Sequence, residues 1–147
     1  MEEALLLARK CIHLDEVPVG AVVVRGNKII SSQHNLVRSL IDPTAHAEIL
    51  CIREVAQILC TNYLNECDMY ITLEPCAMCA QALAWAKIKR IYFAAYDKKF
   101  GAINSRLDIF NKHSANYKPE IYGGIREEEA SKILQNFFSK KRVGIFK

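Results

Sequence analysis

Asp68-Met69-Tyr70-Ile71-Thr72-Leu73-Glu74-Pro75-Cys76-Ala77-Met78-Cys79 is the stretch whose reading decides the fold. Asp68 to Leu73 is short and mostly apolar, which predicts a buried strand. Glu74-Pro75 ends it, because proline cannot donate to a sheet ladder but suits the first turn of a helix. Ala77 to Ala86 is rich in helix formers, so a second helix start is expected there. A strand running through a proline into a helix is a unit of layered α/β architecture, and this one carries two cysteines three residues apart at the junction.

Outward from that junction the pattern repeats. Leu5, Ala8, Cys11 and Ile12 recur at helical spacing and predict an amphipathic helix from about 2 to 14, excluded beyond by Pro18 and Gly20. Ala21-Val22-Val23-Val24, the Gly26-Asn27 turn and Lys28-Ile29-Ile30-Ser31 read as a hairpin. Asp42-Pro43-Thr44 signals a helix start, and Ile49, Ile52, Val55, Ala56 and Leu59 carry that helix to about Cys60. Arg90 to Ala95 is the next strand, followed by a loop from Tyr96 to Gly101, a short helix around Arg106 to Phe110 and a brief strand near Glu120 to Tyr122. A last helix is expected from about Arg126 to Lys141, with glutamates in its first turn and Lys140, Lys141 and Arg142 at its end, the order that the helix dipole favours. The sum is an α/β chain: a three-layer α/β/α sandwich with a mixed five-stranded sheet and helices on both faces.

With 147 residues, half of them apolar, the chain has the length of one ordinary domain, expected to span 1–147. No apolar run reaches the roughly 18 to 20 residues of a membrane span, and Met1-Glu2-Glu3 lacks the basic start of a secretory signal, so a cytoplasmic protein without membrane partners is expected. Among six cysteines only Cys76 and Cys79 have close C-x-x-C spacing, while Cys11, Cys51, Cys60 and Cys67 sit in or beside apolar segments and read as core filler. Residues 1–79 hold 6 Lys/Arg against 10 Asp/Glu, and residues 80–147 hold 14 against 6, so a net −4 is followed by +8. A basic half of this kind suits a polyanion such as nucleic acid, or simply a solvated lysine-rich surface.

The chemistry is carried by two helix starts, His46-Ala47-Glu48 and Pro75-Cys76-Ala77-Met78-Cys79. Cysteines three apart share a helix face, and at a helix N-terminus the thiolate that binds zinc is favoured. His46 supplies a third ligand of a type zinc accepts. A structural zinc would want a fourth protein ligand, yet none stands at a comparable spacing, so the fourth position is read as open to water. Zinc lowers the pKa of such a water to roughly 7, giving hydroxide at neutral pH. Glu48, two residues beyond His46, is then the general acid/base that takes up and returns protons. Either motif alone carries little weight; together, in this order, they are the signature of zinc-dependent base deaminases.

At these residues the chain resembles the cytidine deaminase-like superfamily, and more closely the bacterial tRNA-specific adenosine deaminases. The resemblance covers nearly the whole chain and rests on Glu16-Val17-Pro18-Val19-Gly20-Ala21, on Asp42-Pro43-Thr44-Ala45-His46-Ala47-Glu48-Ile49, on Thr72 to Cys79, and on Asp97 to Ala102. It implies hydrolysis of the wobble adenosine of a tRNA anticodon to inosine, one zinc ion per subunit, a homodimer, and the tRNA anticodon stem-loop as partner. By position it assigns Asn35 to orienting the flipped base and Asp97 to the substrate ribose. Phe137, Phe138 and Arg142 resemble the family's F-F-x-x-x-R segment, which meets the anticodon loop; adjacent aromatics on a helix cannot share one direction, so Phe138 is expected nearer the substrate and Phe137 more buried, and Lys99 with Lys140, Lys141 and Arg142 are natural phosphate contacts. Guanine deaminases share E-P-C-x-M-C, so a deaminase of a free base remains the nearer rival, and a zinc-stabilised RNA-binding subunit without turnover the more distant one. The chain departs from the family pattern at Gln81 and at Asn104-Ser105-Arg106.

Overall fold

Side-chain alternation along the strands sets the layers. The structure of the chain is a computed structural model that describes residues 1–112 and 115–144, with side chains to Lys141. Its elements in order are α1 (Glu2–His13), β1 (Gly20–Arg25), β2 (Lys28–His34), α2 (Ala47–Leu59), β3 (Cys67–Leu73), α3 (Ala77–Trp85), β4 (Arg90–Ala95), α4 (Ile109–Lys112), β5 (Glu120–Tyr122) and α5 (Glu127–Gly144). The sheet order is β2-β1-β3-β4-β5. β1 is antiparallel to both neighbours, whereas β3, β4 and β5 run parallel.

Odd-numbered strand residues Ala21, Val23, Met69, Ile71, Ile91 and Phe93 share one buried cluster with Cys51 and Val55 of α2 and with Ala80 and Leu83 of α3. Even-numbered ones face the other way: Val22 packs with Ala4 and Leu7 of α1, and Ala94 with Leu5 of α1 and with Ala130 and Ile133 of α5. A period of two feeding two helical layers is the expected three-layer sandwich with its mixed five-stranded sheet. Tyr70, Tyr92 and Tyr122, in register across β3, β4 and β5, stack at centroid distances of 4.6 and 4.9 Å. Beside them Arg90 donates to Asp68 from Nε at 2.7 Å and from Nη2 at 2.9 Å, which ties β4 to β3 at their N-terminal ends.

α1 lies so close on β1 that only glycine fits at the crossing. A Cβ on Gly20 would sit 2.1 Å from the Ala4 carbonyl oxygen and 2.9 Å from the Ala8 nitrogen, both backbone atoms. Gly20→Ala is therefore expected to destabilise the protein by about 1–3 kcal/mol, the usual range for overpacking, seen as a lower urea midpoint. An unchanged midpoint would mean that α1 does not press on β1 in this way.

Four local expectations are corrected. α2 starts at Ala47 rather than at Pro43 or Thr44, because Asp42 Oδ1 accepts from the Thr44 backbone N–H at 2.8 Å and from its hydroxyl at 2.7 Å, closing a turn instead of capping the helix. Pro75 lies ahead of the α3 N-cap, Cys76, rather than inside the first turn. The short helix covers Ile109–Lys112, later than Arg106 to Phe110, because Arg106 and Leu107 both donate backbone N–H bonds to the Gly101 carbonyl. Cys60 is exposed, unlike buried Cys11, Cys51 and Cys67, since it forms the C-cap of α2 in a left-handed conformation, φ 50°.

Candidate active site

α2 and α3 lie on the same side of the sheet, and their N-termini bring the two motifs together. His46 is the N-cap of α2 (φ −72°, ψ 150°) and Cys76 the N-cap of α3 (φ −73°, ψ 173°), and neither side chain makes a capping hydrogen bond. Each is thus free to face the space between the helices, with Cys79 one turn into α3. The ligand atoms of His46, Cys76 and Cys79 all lie within 4.8 Å of one another, the one such group among the described residues. His46 Nδ1 is 3.5 Å from Cys79 Sγ and 3.8 Å from Cys76 Sγ. A tetrahedral ion bonded at ~2.3 Å to sulfur and ~2.05 Å to nitrogen separates such atoms by roughly 3.6 Å. Distances and donor set therefore both fit a metal of that kind, with Nδ1 as the imidazole donor.

The α2 N-terminus is capped from a distance. Asn35, just beyond β2 and buried, accepts the Ala47 N–H on Oδ1 at 3.0 Å, which leaves its Nδ2 uncommitted by that bond. This fixes where α2 begins and holds Asn35 against the turn that carries His46 and Glu48. Glu48 is only 4 % exposed. Burial pushes its carboxyl up to about 7, against a lesser opposing influence from its own backbone N–H and from His46. Among the three clustered side chains Cys76 is driven down to about 4, first by a hydrogen bond from Cys79 and further by His46. Cys79 is pushed up by that same bond and by burial, and the hydrogen bond with Cys76 raises His46.

These groups open into a cavity of about 1120 Å³. His46, Glu48, Cys76, Asn35, Asp97, Lys99 and Phe138 line it, so most residues singled out in the sequence meet there; Cys79 lies buried just behind, 0 % exposed. Phe138 is 45 % exposed whereas the adjacent Phe137 is buried. Asp97 Oδ1 accepts from the backbone N–H groups of Lys99 and Phe100 at 2.9 and 3.0 Å, which closes the loop after β4 and leaves its other oxygen outside those bonds. Lys99 places Nζ 4.9 Å from the centroid of the Phe100 ring. Lys141 pairs with Asp15, and the Arg142 side chain lies outside the described residues.

Sequence reasoning missed several cavity residues. Arg38, Phe100, Arg106 and Leu107 line it from loops, where no periodicity marks them. Two buried glutamates, Glu16 and Glu74, also reach it. Glu16 Oε1 accepts from the backbone N–H groups of Arg38 and Ser39, both at 2.8 Å, and from the Ser39 hydroxyl at 3.0 Å, which pins the loop between β2 and α2.

The family of MafB19-like deaminases matches residues 1–142. The chain is 43% identical over 143 residues to a tRNA-specific adenosine deaminase of Agrobacterium fabrum, with 97% of this chain and 94% of that one covered. It is 44% identical over 147 residues to the tRNA-specific adenosine deaminase of Aquifex aeolicus, covering 99% and 95%. Among solved structures it is similar, at 43% identity and a TM-score of 0.89 over 91% of this chain and 97% of the other, to one from work on A-to-I editing by tRNA:A34 deaminases at the wobble position of transfer RNA.

Proposed function

This chain belongs to the MafB19-like deaminases and to the family of the tRNA-specific adenosine deaminases, and on that premise we propose that it hydrolyses the wobble adenosine of a tRNA anticodon to inosine and ammonia. The observation that carries the reading is the triangle of His46, Cys76 and Cys79 with buried Glu48 beside it at one cavity. His46 Nδ1, Cys76 and Cys79 would hold one zinc ion per subunit. When bound, zinc supplies the Lewis acidity that makes water a nucleophile near neutral pH.

The residues of the chain do the rest. The target nucleotide leaves the stack and its base enters the cavity, where Asn35 Nδ2 donates to an acceptor on the base edge while Oδ1 stays on the Ala47 N–H. Glu48 takes a proton from the attacking water and gives it to ring nitrogen N1 as oxygen bonds to the amine-bearing carbon. It then takes the remaining proton of that oxygen and passes it to the amine, which departs as ammonia as the carbonyl forms. Burial favours the protonated form of this carboxyl, the direction that suits a group that must take up a proton as well as return it. Val19 and Leu73 give the cavity apolar walls against which a base can displace water. Asp97, through the oxygen outside its loop bonds, accepts from the ribose 2′-OH. Phe138 offers its exposed ring to the anticodon loop, and Lys99 and Arg142 meet phosphates of the anticodon stem-loop.

The same reading takes the chain as one deaminase domain acting in the cytoplasm as a homodimer. No helix among the described residues is long and apolar enough to cross a membrane. The homodimer is supported by an apolar stripe on α3, where Met78 and Trp85, seven residues apart, are 37 % and 64 % exposed. The deciding experiment incubates purified, zinc-loaded protein with a tRNA transcript bearing A at the wobble position and, separately, with guanine and cytidine. Ammonia from the transcript alone, with the wobble A read as G in its cDNA, is the expected result; ammonia from a free base and none from the transcript would overturn the reading.

A further inference from the structure

Glu74 sits between β3 and Pro75, 2 % exposed, and is absent from the His46, Cys76 and Cys79 group. Its carboxylate is fully engaged by a segment far along the chain. Oε1 accepts three successive backbone N–H groups, those of Ile103 at 3.1 Å, Asn104 at 2.7 Å and Ser105 at 3.0 Å. Oε2 accepts from the Asp97 N–H at 3.1 Å and from the Ser105 hydroxyl. Successive N–H groups converging on one point form a nest of the type that binds anions, and here a side chain of the same protein fills it.

The loop so held runs from Asp97 to Arg106 and carries Asp97, Lys99, Phe100 and Arg106 along the cavity. It has a second, independent anchor at its middle. The Ala102 N–H donates to the Pro75 carbonyl at 2.9 Å, and Cys76 and Gly101 form an isolated bridge. Gly101 is pressed against the glutamate, since a Cβ there would lie 2.5 Å from Glu74 Oε2. Losing the carboxylate would therefore free the two arms of the loop, at Asp97 and at Ile103 to Ser105, while its centre stays on Pro75. The metal-binding triangle and Glu48 belong to α2 and α3 and their caps, outside this loop.

We propose that Glu74 is a positioning residue for substrate binding: by filling the 103–105 nest and holding the Asp97 N–H, it sets the Asp97-to-Arg106 loop against the RNA. The inference rests on the tRNA reading above for its substrate, but not for its structural content. It separates the two halves of the site, because the chemistry sits on the helix starts and the grip on the substrate depends on this carboxylate.

Glu74→Gln keeps the volume but puts an NH₂ group against either the nest or the Asp97 N–H, donor facing donor. Glu74→Ala empties the nest. In both variants amide hydrogen exchange at residues 103–105 is expected to speed up, with metal content unchanged. The KM for the tRNA transcript is expected to rise about tenfold or more, while kcat stays within about threefold. For Glu74→Ala, formate should lower KM relative to chloride at equal ionic strength by refilling the nest, whereas wild-type protein should respond equally to both salts. Wild-type KM in both variants, despite faster exchange at 103–105, would overturn the proposal. So would a fall in kcat accompanied by lost metal, which would put Glu74 in the metal half of the site. Wild-type protein without turnover on the transcript would sink the tRNA reading instead. In that event exchange still decides: unchanged rates at 103–105 in both variants overturn the proposal, and faster rates reversed by formate in Glu74→Ala support it.

Discussion

Glu48→Gln is expected to lower kcat on the tRNA transcript by about 10²–10⁴-fold, the usual contribution of a positioned general acid/base, with metal content and sheet structure unchanged. The substituted amide would fill the same buried space at the start of α2 but can neither take a proton from water nor return one to the base or the leaving amine. In the proposed mechanism substrate grip falls to Asn35, Asp97 and the loop that Glu74 holds, so KM should move far less than kcat. Activity within a few fold of wild type would remove Glu48 from the mechanism, whatever its position in the cavity.

The same substitution has a second readout with the opposite sign. Burial raises the Glu48 carboxyl to about 7 from an ordinary 4.5. A raised acid pKa means that the folded state binds more protons than the unfolded one between about 4.5 and 7, so stability falls as pH rises through that window and stays lowered above it. In metal-free protein the penalty is on the order of 3 kcal/mol above pH 7 and absent below pH 4.5. Glu48→Gln removes it, and metal-free Glu48→Gln is accordingly expected to be more stable than metal-free wild type at pH 8 and equal to it near pH 4. Thermal melts of the two proteins at both pH values would check this. A variant that gains stability while losing turnover is what a carboxylate kept for chemistry at the cost of burial should give.

How much of this was legible in the sequence depends on how local each determinant is. β4 at Arg90–Ala95 and β5 at Glu120–Tyr122 fall where the apolar pattern places them, because alternation and flanking residues suffice to define a strand. The cluster of His46, Cys76 and Cys79 is readable in the sequence since a C-x-x-C and an H-x-E, each at a helix start, need only local spacing to be recognised. The start of α2 was misplaced because its cap comes from Asn35, 12 residues upstream of the amide it holds, while Asp42 spends its carboxylate on a turn. Glu16 and Glu74 stand in the segments that carry the family resemblance, yet nothing nearby reveals what they do. Their partners lie 22 to 23 and 23 to 31 residues away, and only the fold brings those N–H groups to them. Cys60 looked like core filler because it closes an apolar helix; its left-handed conformation turns it to solvent.

Replacing either thiol should abolish metal retention and with it turnover. Serine is a far poorer ligand than thiolate at neutral pH, so Cys76→Ser and Cys79→Ser are each expected to emerge from purification with little zinc and no measurable ammonia release. Unchanged zinc content in either would remove that residue from the ligand set. The two cysteines should differ in how the metal is taken up. Cys76 is held low by the hydrogen bond that Cys79 donates and by His46, the direction that favours its thiolate. Cys79 is the proton's holder, its thiol pushed up by the same bond and by burial. A metal that takes both sulfurs must displace that proton, so loading releases it to solvent and affinity weakens as pH falls. Adding zinc to metal-free wild-type protein in weak buffer at pH 7 should therefore acidify the solution by at least one proton per zinc bound, whereas Cys79→Ser, which takes up little zinc, should release correspondingly little. Wild-type protein that binds zinc without releasing a proton would show that Cys79 does not surrender one to the metal, and would remove it from the ligand set.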